Sequence, residues 1–215
     1  MKIEDKQIII KNYEPFPFLE IENMYSEDEL KLIWQELEFL NQLNKLEKPE
    51  ETGSARIDEE ILKKNSGLYL DNLYKNRNIS NILTVNKNLM SLHILEAFSS
   101  LCFLYENIKH TNDDTTLISY YDNGGYYKSH QDSALYTAIT WFFKEPKKFN
   151  GGDFYFSDYD HKIELKNNKT ILFPSVITHS VNEIIMNNES DFGCGYGRYA
   201  MTQFFHLLNR GDADD

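Results

Sequence analysis

The sequence contains very little cysteine, which argues against two common ways of stabilising a small protein. Cys102 and Cys194 are its only cysteines, they lie far apart, and neither belongs to a CxxC or Cys/His zinc spacing. The sequence therefore indicates neither a disulfide framework nor a zinc finger. We expect both thiols to be reduced.

A long apolar run is also missing from the first residues of the chain. Residues 1–7 are rich in charge, and the apolar run at 8–10 is far too short for a signal-peptide core or a membrane span. The sequence therefore predicts a cytoplasmic protein without a membrane partner.

Positive charge is scarce. The chain has 22 Lys and Arg residues against 34 Asp and Glu residues, so its net charge is -12 at pH 7. Such a charge repels phosphate backbones and anionic lipid surfaces, because these partners need basic patches. Nucleic acid is therefore not an expected partner.

The first part of the chain is predicted to form a short strand and then a helix. Residues 16–23 alternate weakly and end in a turn, as a short strand does. Ser26 and Glu29 form a capping-box pattern, which satisfies free backbone N–H groups at a helix start. Apolar residues then recur at helical spacing and predict one buried helix face: Leu30, Ile33, Trp34, Leu37 and Leu40.

Two segments follow before the part of the chain that is predicted to form β strands. Residues 45–64 are dense in charge, contain Pro49 and Gly53, and keep no period, which predicts an exposed loop that could act as a lid. Residues 79–108 carry apolar side chains at helical spacing and predict a second helical region. We interpret His93 within it as a structural or surface histidine.

From Thr115 onward, short runs rich in Ile, Thr, Tyr and Phe are separated by turn residues, which predicts an antiparallel β unit. A jelly roll or small barrel fits this pattern, and its mouth is a usual place for a ligand. We expect a mainly β fold with flanking helices, of the α+β class. A single domain at 1–215 would combine a strand and helical support region at 1–112 with a β core at 113–210.

One cluster of residue types points to metal chemistry. Side chains at i and i+2 of a strand share a face, so His130 and Asp132 are expected to lie together, with Gln131 pointing away. His179, in a later β segment, would add a second imidazole. Two imidazoles and one carboxylate form the facial triad of non-haem iron oxygenases. A His and an Asp two residues apart also occur by chance in many proteins, so this pair alone decides nothing.

A later strand carries an arginine in a notable position. Alternation places Arg198, Ala200 and Thr202 on one face. An arginine turned into a barrel needs a matching anion, and its planar fork suits a carboxylate, to which Thr202 could add a hydroxyl. The alternative is a surface salt bridge, with the opposite face of the strand, which carries Tyr199 and Met201, as the core.

Five segments occur in a fixed order over most of the chain: residues 17–23 (PFLEIEN), 121–132 (YDNGGYYKSHQD), 150–154 (NGGDF), 173–181 (FPSVITHSV) and 198–202 (RYAMT). Each is weak alone, whereas the ordered set is hard to obtain by accident. Together they resemble the prolyl-4-hydroxylase-like branch of the iron(II)- and 2-oxoglutarate-dependent dioxygenases.

The resemblance implies a double-stranded β-helix in which His130, Asp132 and His179 bind Fe(II). Arg198 is then the anchor of the co-substrate 2-oxoglutarate. O2 is the second co-substrate that the resemblance implies, and ascorbate is a further ligand.

Three more residues receive roles from the same resemblance. Tyr121 and Tyr127 match tyrosines that line the family's pocket, and Tyr121 or Thr202 is implied to form a hydrogen bond to 2-oxoglutarate. Aromatic core packing is the other interpretation of the two tyrosines.

The implied reaction is hydroxylation of a C–H bond, with release of succinate and CO2. The resemblance favours a prolyl residue in a protein or peptide as substrate, with residues 45–70 as a lid that recognises it. A free amino acid or small metabolite is the enzymatic alternative. Two other interpretations stay open: a non-catalytic β-barrel binding module, and a zinc hydrolase, which would leave Arg198 unexplained.

The sequence departs from the family pattern at two places. Phe142 stands where relatives carry a co-substrate-binding tyrosine on the strand after the His/Asp pair. Residues 184–196 make a longer connection than usual, which could shape substrate entry. His161 and His206 have no carboxylate partner at metal spacing and are interpreted as structural or exposed.

Overall fold

The computed structural model describes residues 7–11 and 15–208 of the chain. The α-helices in these ranges are α1 (Glu27–Gln42), α2 (Leu70–Leu73), α3 (Asn81–Asn86) and α4 (Leu92–Ser99). Short 3-10 turns occupy Pro49–Glu51, Arg77–Ile79, Lys87–Met90, Phe103–His110, Ser157–Tyr159 and Glu189–Asp191. None of the described helices has the length and apolar character that a membrane crossing requires.

The strands number sixteen within the same ranges. In chain order they are β1 (Gln7–Lys11), β2 (Phe18–Glu22), β3 (Arg56–Ile57), β4 (Glu60–Ile61), β5 (Lys63–Lys64), β6 (Ser66–Tyr69), β7 (Asp113–Tyr121), β8 (Tyr126–His130), β9 (Tyr136–Phe142), β10 (Phe149–Gly151), β11 (Phe154–Phe156), β12 (His161–Ile163), β13 (Lys169–Pro174), β14 (His179–Val181), β15 (Ile184–Met186) and β16 (Arg198–His206).

Two antiparallel sheets form the β core, as the sequence predicts. The larger sheet has the order β1-β2-β13-β9-β16-β7-β6, and the smaller one has the order β12-β11-β14-β8-β5. Aromatic and aliphatic side chains from both sheets pack together in one buried cluster between them. Neighbours distant in sequence, such as β16 between β7 and β9, give the crossovers of a jelly roll.

Strand alternation separates this inner core from a second one. On β9, Ile139 and Trp141 face the space between the sheets, whereas Ala138 and Phe142 face the helices. The outer core unites the helices with the back of the larger sheet. A mainly β fold with helices packed on it is therefore confirmed.

Helix α1 begins where the sequence predicts. The Ser26 hydroxyl accepts from the Glu29 N–H, and the Glu29 carboxylate accepts from the Ser26 N–H at 2.8 Å. Ile33, Leu37 and Leu40 are buried in the outer core, and burial of such a side chain contributes about 1.5–3 kcal/mol. The strand predicted within residues 16–23 is also present as β2.

The second helical region is present but broken into short pieces. Helices α3 and α4 are separated by a 3-10 turn and by Ser91, which has an extended backbone. Residues 86–100 contain several Asn and Ser residues, whose short polar side chains compete with helix continuation. His93 is exposed, as predicted.

The prediction of an exposed loop at 45–64 is wrong in part. Its middle forms the small β3/β4 hairpin, but β5 joins the smaller sheet beside β8. Thr52 and Lys63 are buried, at 1% and 5% exposure. The high charge density of the segment predicts solvent contact, whereas Lys63 is buried.

Candidate active site

The His/Asp pair lies at the end of strand β8. His130 is the last residue of β8, and Asp132 follows in the next turn, where its N–H donates to the Ser175 carbonyl at 3.1 Å. The two side chains converge, with His130 Nε2 3.7 Å from Asp132 Oδ1.

A second histidine reaches the same point from the neighbouring strand. His179 opens β14 and stands directly opposite His130 in the strand register. Its Nε2 lies 3.5 Å from Asp132 Oδ2. One ligand atom from each of the three residues lies within 4.8 Å of the others. Three donors from two strands therefore meet on one side of a common point.

Both imidazoles present the nitrogen that a metal needs. Nδ1 of His130 lies 2.9 Å from the Lys128 carbonyl, and Nδ1 of His179 lies 2.8 Å from the Ile177 carbonyl. Each carbonyl fixes the proton on Nδ1, which leaves the lone pair of Nε2 free. Burial, and then the neighbouring His179, lowers the pKa of His130 to about 2, so its ring is neutral.

Two hydroxyl groups hold the carboxylate in place. The Thr137 hydroxyl lies 2.7 Å from Asp132 Oδ2 and 2.7 Å from the Ser175 hydroxyl. Both hydroxyl residues are fully buried. The sequence analysis did not identify them, although Thr137 shares the inner face of β9 with Ile139, and strand alternation could have indicated it.

Replacing Thr137 with valine should weaken divalent metal binding. The change keeps the shape of the side chain but removes the hydrogen bond that orients Asp132, and losses of this kind typically lower metal affinity about 10–100-fold. Calorimetric titration with Mn(II) measures it. Thr140→Val is the matched control, because Thr140 is equally buried on β9 but pairs with Thr170. Equal affinities for the Thr137→Val variant and the wild type would contradict the assigned role.

Arg198 lines the same cavity from the larger sheet, whereas both histidines stand on the smaller sheet. It opens β16, is 1% exposed, and its Nε and Nη1 groups have no hydrogen-bond partner among the described residues. Its guanidinium carbon lies 5.0 Å from the Tyr121 ring centroid. Burial lowers the pKa of Arg198 to about 10, so it remains a cation at neutral pH. Unpaired buried donors of this kind call for an anion.

The prediction about which face of β16 points inward is confirmed. Arg198, Ala200 and Thr202 line the cavity, and Tyr199 and Met201 pack in the outer core. A surface salt bridge for Arg198 is therefore excluded. Gly152 lies against this arginine with a φ of +69°, and a Cβ there would come within 3.3 Å of Arg198 Cδ, which explains the Gly-Gly turn.

Phe142, which was expected where relatives carry a co-substrate-binding tyrosine, does not face the cavity. Phe142 points into the outer core, away from the cavity. Its neighbour Trp141 faces inward instead, with its ring centroid 5.7 Å from the Arg198 guanidinium carbon. The Trp141 Nε1 is buried and has no partner among the described residues. A shift of one residue reverses the face of a strand, and this accounts for the error.

The three candidate metal ligands and Arg198 line one cavity of about 280 Å³. Tyr121, Tyr127 and Thr202 line it, as do residues 52–55 of the segment that was predicted to be a lid. The Tyr127 ring stacks on His130 with centroids 3.5 Å apart, and its hydroxyl accepts from the Ala55 N–H at 3.1 Å. Tyr127 therefore ties the segment to the histidine.

Comparison with known proteins agrees with this geometry. Residues 116–206 match the family model described as 2OG-Fe(II) oxygenase superfamily, where 2OG denotes 2-oxoglutarate. This match covers the β core, which is less than half of the chain, and it supports the interpretation of that core as a 2-oxoglutarate- and Fe(II)-dependent dioxygenase. No curated relative matches the chain.

Several solved structures are similar to this chain in fold. A prolyl-4-hydroxylase from Pseudomonas putida has a TM-score of 0.61 at 15% identity, with 89% of this chain and 93% of that chain covered. The viral collagen prolyl hydroxylase of Paramecium Bursaria Chlorella virus-1 has a TM-score of 0.53 at 13% identity, covering 89% and 96%. A 2OG-Fe(II) oxygenase family oxidoreductase from Burkholderia pseudomallei has a TM-score of 0.55 at 12% identity, covering 87% and 83%. At these identities, the likeness is one of fold.

The remaining predictions about the site differ in outcome. His161 is half-buried and stacks on Phe156, in line with a structural role. His206, in contrast, lines the cavity and is not simply structural or exposed. The connection at 184–196 forms β15, which pairs with β10, and none of its described residues lines the cavity.

Proposed function

We propose that His130, Asp132 and His179 bind Fe(II) and that Arg198 binds the distal carboxylate of 2-oxoglutarate. The supporting observation is that a compact set of two imidazoles and one carboxylate shares one cavity with a buried guanidinium whose Nε and Nη1 groups lack hydrogen-bond partners among the described residues. The donor set is the one that non-haem iron oxygenases use, and the fork of an arginine suits a carboxylate. The buried, unpartnered donors of Arg198 fit 2-oxoglutarate better than they fit a zinc hydrolase.

Tyr121 and Thr202 complete the carboxylate site in this proposal. Burial raises the pKa of Tyr121, although the charge of Arg198 partly opposes this shift. Because the pKa is raised, the phenol keeps its proton and can donate it in a hydrogen bond. Thr202 lies two cavity-facing positions beyond Arg198 on β16 and offers a hydroxyl. Tyr127 positions the ring of His130 from the other side.

When bound together, Fe(II), 2-oxoglutarate and O2 supply the oxidation that converts a substrate C–H group into an alcohol, with release of succinate and CO2. The protein orients the candidate ligands and excludes water from them. Asp132 is held by Thr137, both imidazoles are held by backbone carbonyls, and aromatic side chains exclude water around them. A fixed ligand set of this kind avoids reorganisation during the reaction.

The substrate we propose is a prolyl residue in a protein or peptide. The similarity in fold to two prolyl hydroxylases supports this choice, and both are covered over more than nine-tenths of their length. Residues 52–55 and 63 border the cavity and would form the part of the lid that meets the substrate. Ascorbate would act as an accessory reductant.

We also propose that residues 1–215 form one domain, because the helices share the outer core with the larger sheet. The cytoplasmic location stays a prediction. The same holds for the expected absence of nucleic-acid and membrane partners.

Product analysis tests the proposed reaction. The purified protein is incubated with Fe(II), 2-oxoglutarate, ascorbate and air, with and without prolyl peptides, and succinate and peptide mass are measured. We expect succinate to accumulate and a peptide to gain one oxygen atom, and Asp132→Ala to lose both. A protein that retains iron but releases no more succinate than Asp132→Ala would be a non-catalytic binding module. Succinate release stimulated by a free amino acid, with unmodified peptides, would favour the small-metabolite alternative.

A further inference from the structure

Lys63 is a buried cation within the active-site cavity that the proposed chemistry does not use. It lies on β5, lines the cavity, and is 5% exposed. It stands opposite Tyr127 in the strand register, with its Nζ 5.5 Å from the Tyr127 ring centroid. Since Tyr127 stacks on His130, the amine and this candidate metal ligand both lie against the same tyrosine ring.

The amine has few partners in the protein. Among the described residues, its hydrogen bond is to the Thr52 carbonyl, at the long distance of 3.3 Å. An ammonium group has three donors, so most of its hydrogen-bonding capacity is unused. Burial lowers the pKa of Lys63 to about 8, and the nearest opposing charge, Asp132, only partly offsets this.

The charges around the cavity do not balance within the protein. Asp132 is the only carboxylate among the described residues that line it, and it is assigned to the metal. Arg198 and Lys63 are the arginine and lysine side chains among the described residues of the lining, and Arg198 is assigned to 2-oxoglutarate. A buried charge is stable only when it is paired, so Lys63 calls for an anion of its own. The chain as a whole has a net charge of -12, so the excess of positive charge in the cavity lining is a local feature of this site.

We propose that Lys63 binds a carboxylate of the primary substrate, close to the C–H group that is hydroxylated. This inference rests on the proposed function, because it takes the metal and 2-oxoglutarate positions as given. The carboxylate has two sources: the α-carboxylate of a free amino acid, or the side chain of an acidic residue next to a prolyl residue in a peptide. Either source restricts the substrates to those with an anion beside the reacting carbon.

Matched pairs of probes test the proposal without relying on turnover. The full chain is loaded anaerobically with Fe(II) and 2-oxoglutarate, and each probe is titrated while the visible absorption of the complex is followed. L-proline is compared with L-prolinamide, and the peptide acetyl-Gly-Pro-Asp-amide is compared with acetyl-Gly-Pro-Asn-amide. The first pair reports on a free amino acid, and the second reports on an acidic peptide.

We expect one carboxylate probe to bind at least about thirtyfold more tightly than its amide, as loss of a buried charge partner usually costs this much or more. Lys63→Met should abolish the difference, and Lys63→Arg should keep it. Lys64→Met is the matched control, because Lys64 is the exposed neighbour on the same strand. The melting temperature of each variant shows that it is folded.

Several results would overturn the proposal. The wild type could bind neither carboxylate more tightly than its amide, or Lys63→Met could retain the preference. Alternatively, Lys63→Met could weaken 2-oxoglutarate itself, which would assign the lysine to the co-substrate. A wild type that shows no absorption band with Fe(II) and 2-oxoglutarate would remove the proposed function, and the inference with it. A normal band without a carboxylate preference would remove the Lys63 inference alone.

Discussion

His179→Ala is expected to lower the affinity for Fe(II) at least about a hundredfold, because it removes one of three ligands, whereas loss of a mere supporting group costs about 10–100-fold. His130 and Asp132 alone would leave the ion with too few protein contacts. Fluorescence or calorimetric titration under anaerobic conditions measures the affinity. His93→Ala is the control, since His93 is exposed on α4.

The fold of the His179→Ala variant should persist. The imidazole lies among aromatic neighbours, with the Phe154 ring centroid 5.4 Å away, so its removal leaves a small cavity rather than an unpaired charge. A cooperative thermal transition close to that of the wild type shows this. Wild-type iron affinity in a folded His179→Ala variant would remove the residue from the metal site.

Arg198→Met is expected to weaken 2-oxoglutarate binding by about 2–5 kcal/mol, which corresponds to roughly thirty- to several thousandfold. The variant would leave the distal carboxylate without a cation in a buried pocket. Metal affinity should not change, because Arg198 stands on the larger sheet and is not one of the three candidate ligands, two of which stand on the smaller sheet. Titration of the Fe(II)-loaded variant with 2-oxoglutarate separates the two effects.

Stability gives a second, independent outcome for the same variant. The guanidinium of Arg198 is buried with two unpartnered N–H groups, so the free protein bears the cost of that charge. Arg198→Met is therefore expected to melt no lower than the wild type in the absence of 2-oxoglutarate. Arg56→Met, which alters an exposed arginine on β3, should change neither measurement. Unchanged 2-oxoglutarate affinity in Arg198→Met would contradict the anchor assignment.

The positions of the main site residues followed from simple periodicity. The period of two in a strand turned Arg198 inward, as the structure has it. His130 and Asp132 also converge as predicted, although β8 ends at His130 and Asp132 lies just beyond the strand. Periodicity alone could not place His179 in the site, because nothing in the local sequence indicates which later strand lies beside β8. The order of motifs in the family resemblance supplied that long-range pairing.

The residues that the sequence analysis missed depend on contacts across the fold. Ser175 supports Asp132 through Thr137, which is 38 residues distant from it in the chain. Lys63 enters the cavity only because β5 adds to the edge of the smaller sheet beside β8. A short charged strand gives no local signal of burial. The Phe142 error had a different origin, since an offset of one residue on β9 exchanges the inner and outer faces.

The most direct test of the account is an anaerobic titration of the metal-free protein with Fe(II) and then with 2-oxoglutarate, followed by visible absorption. The account predicts a new metal-to-ligand charge-transfer band that appears only when both are present, in the wild type but in neither His179→Ala nor Arg198→Met at the same concentrations. A folded wild-type protein that binds iron and develops no such band would contradict it.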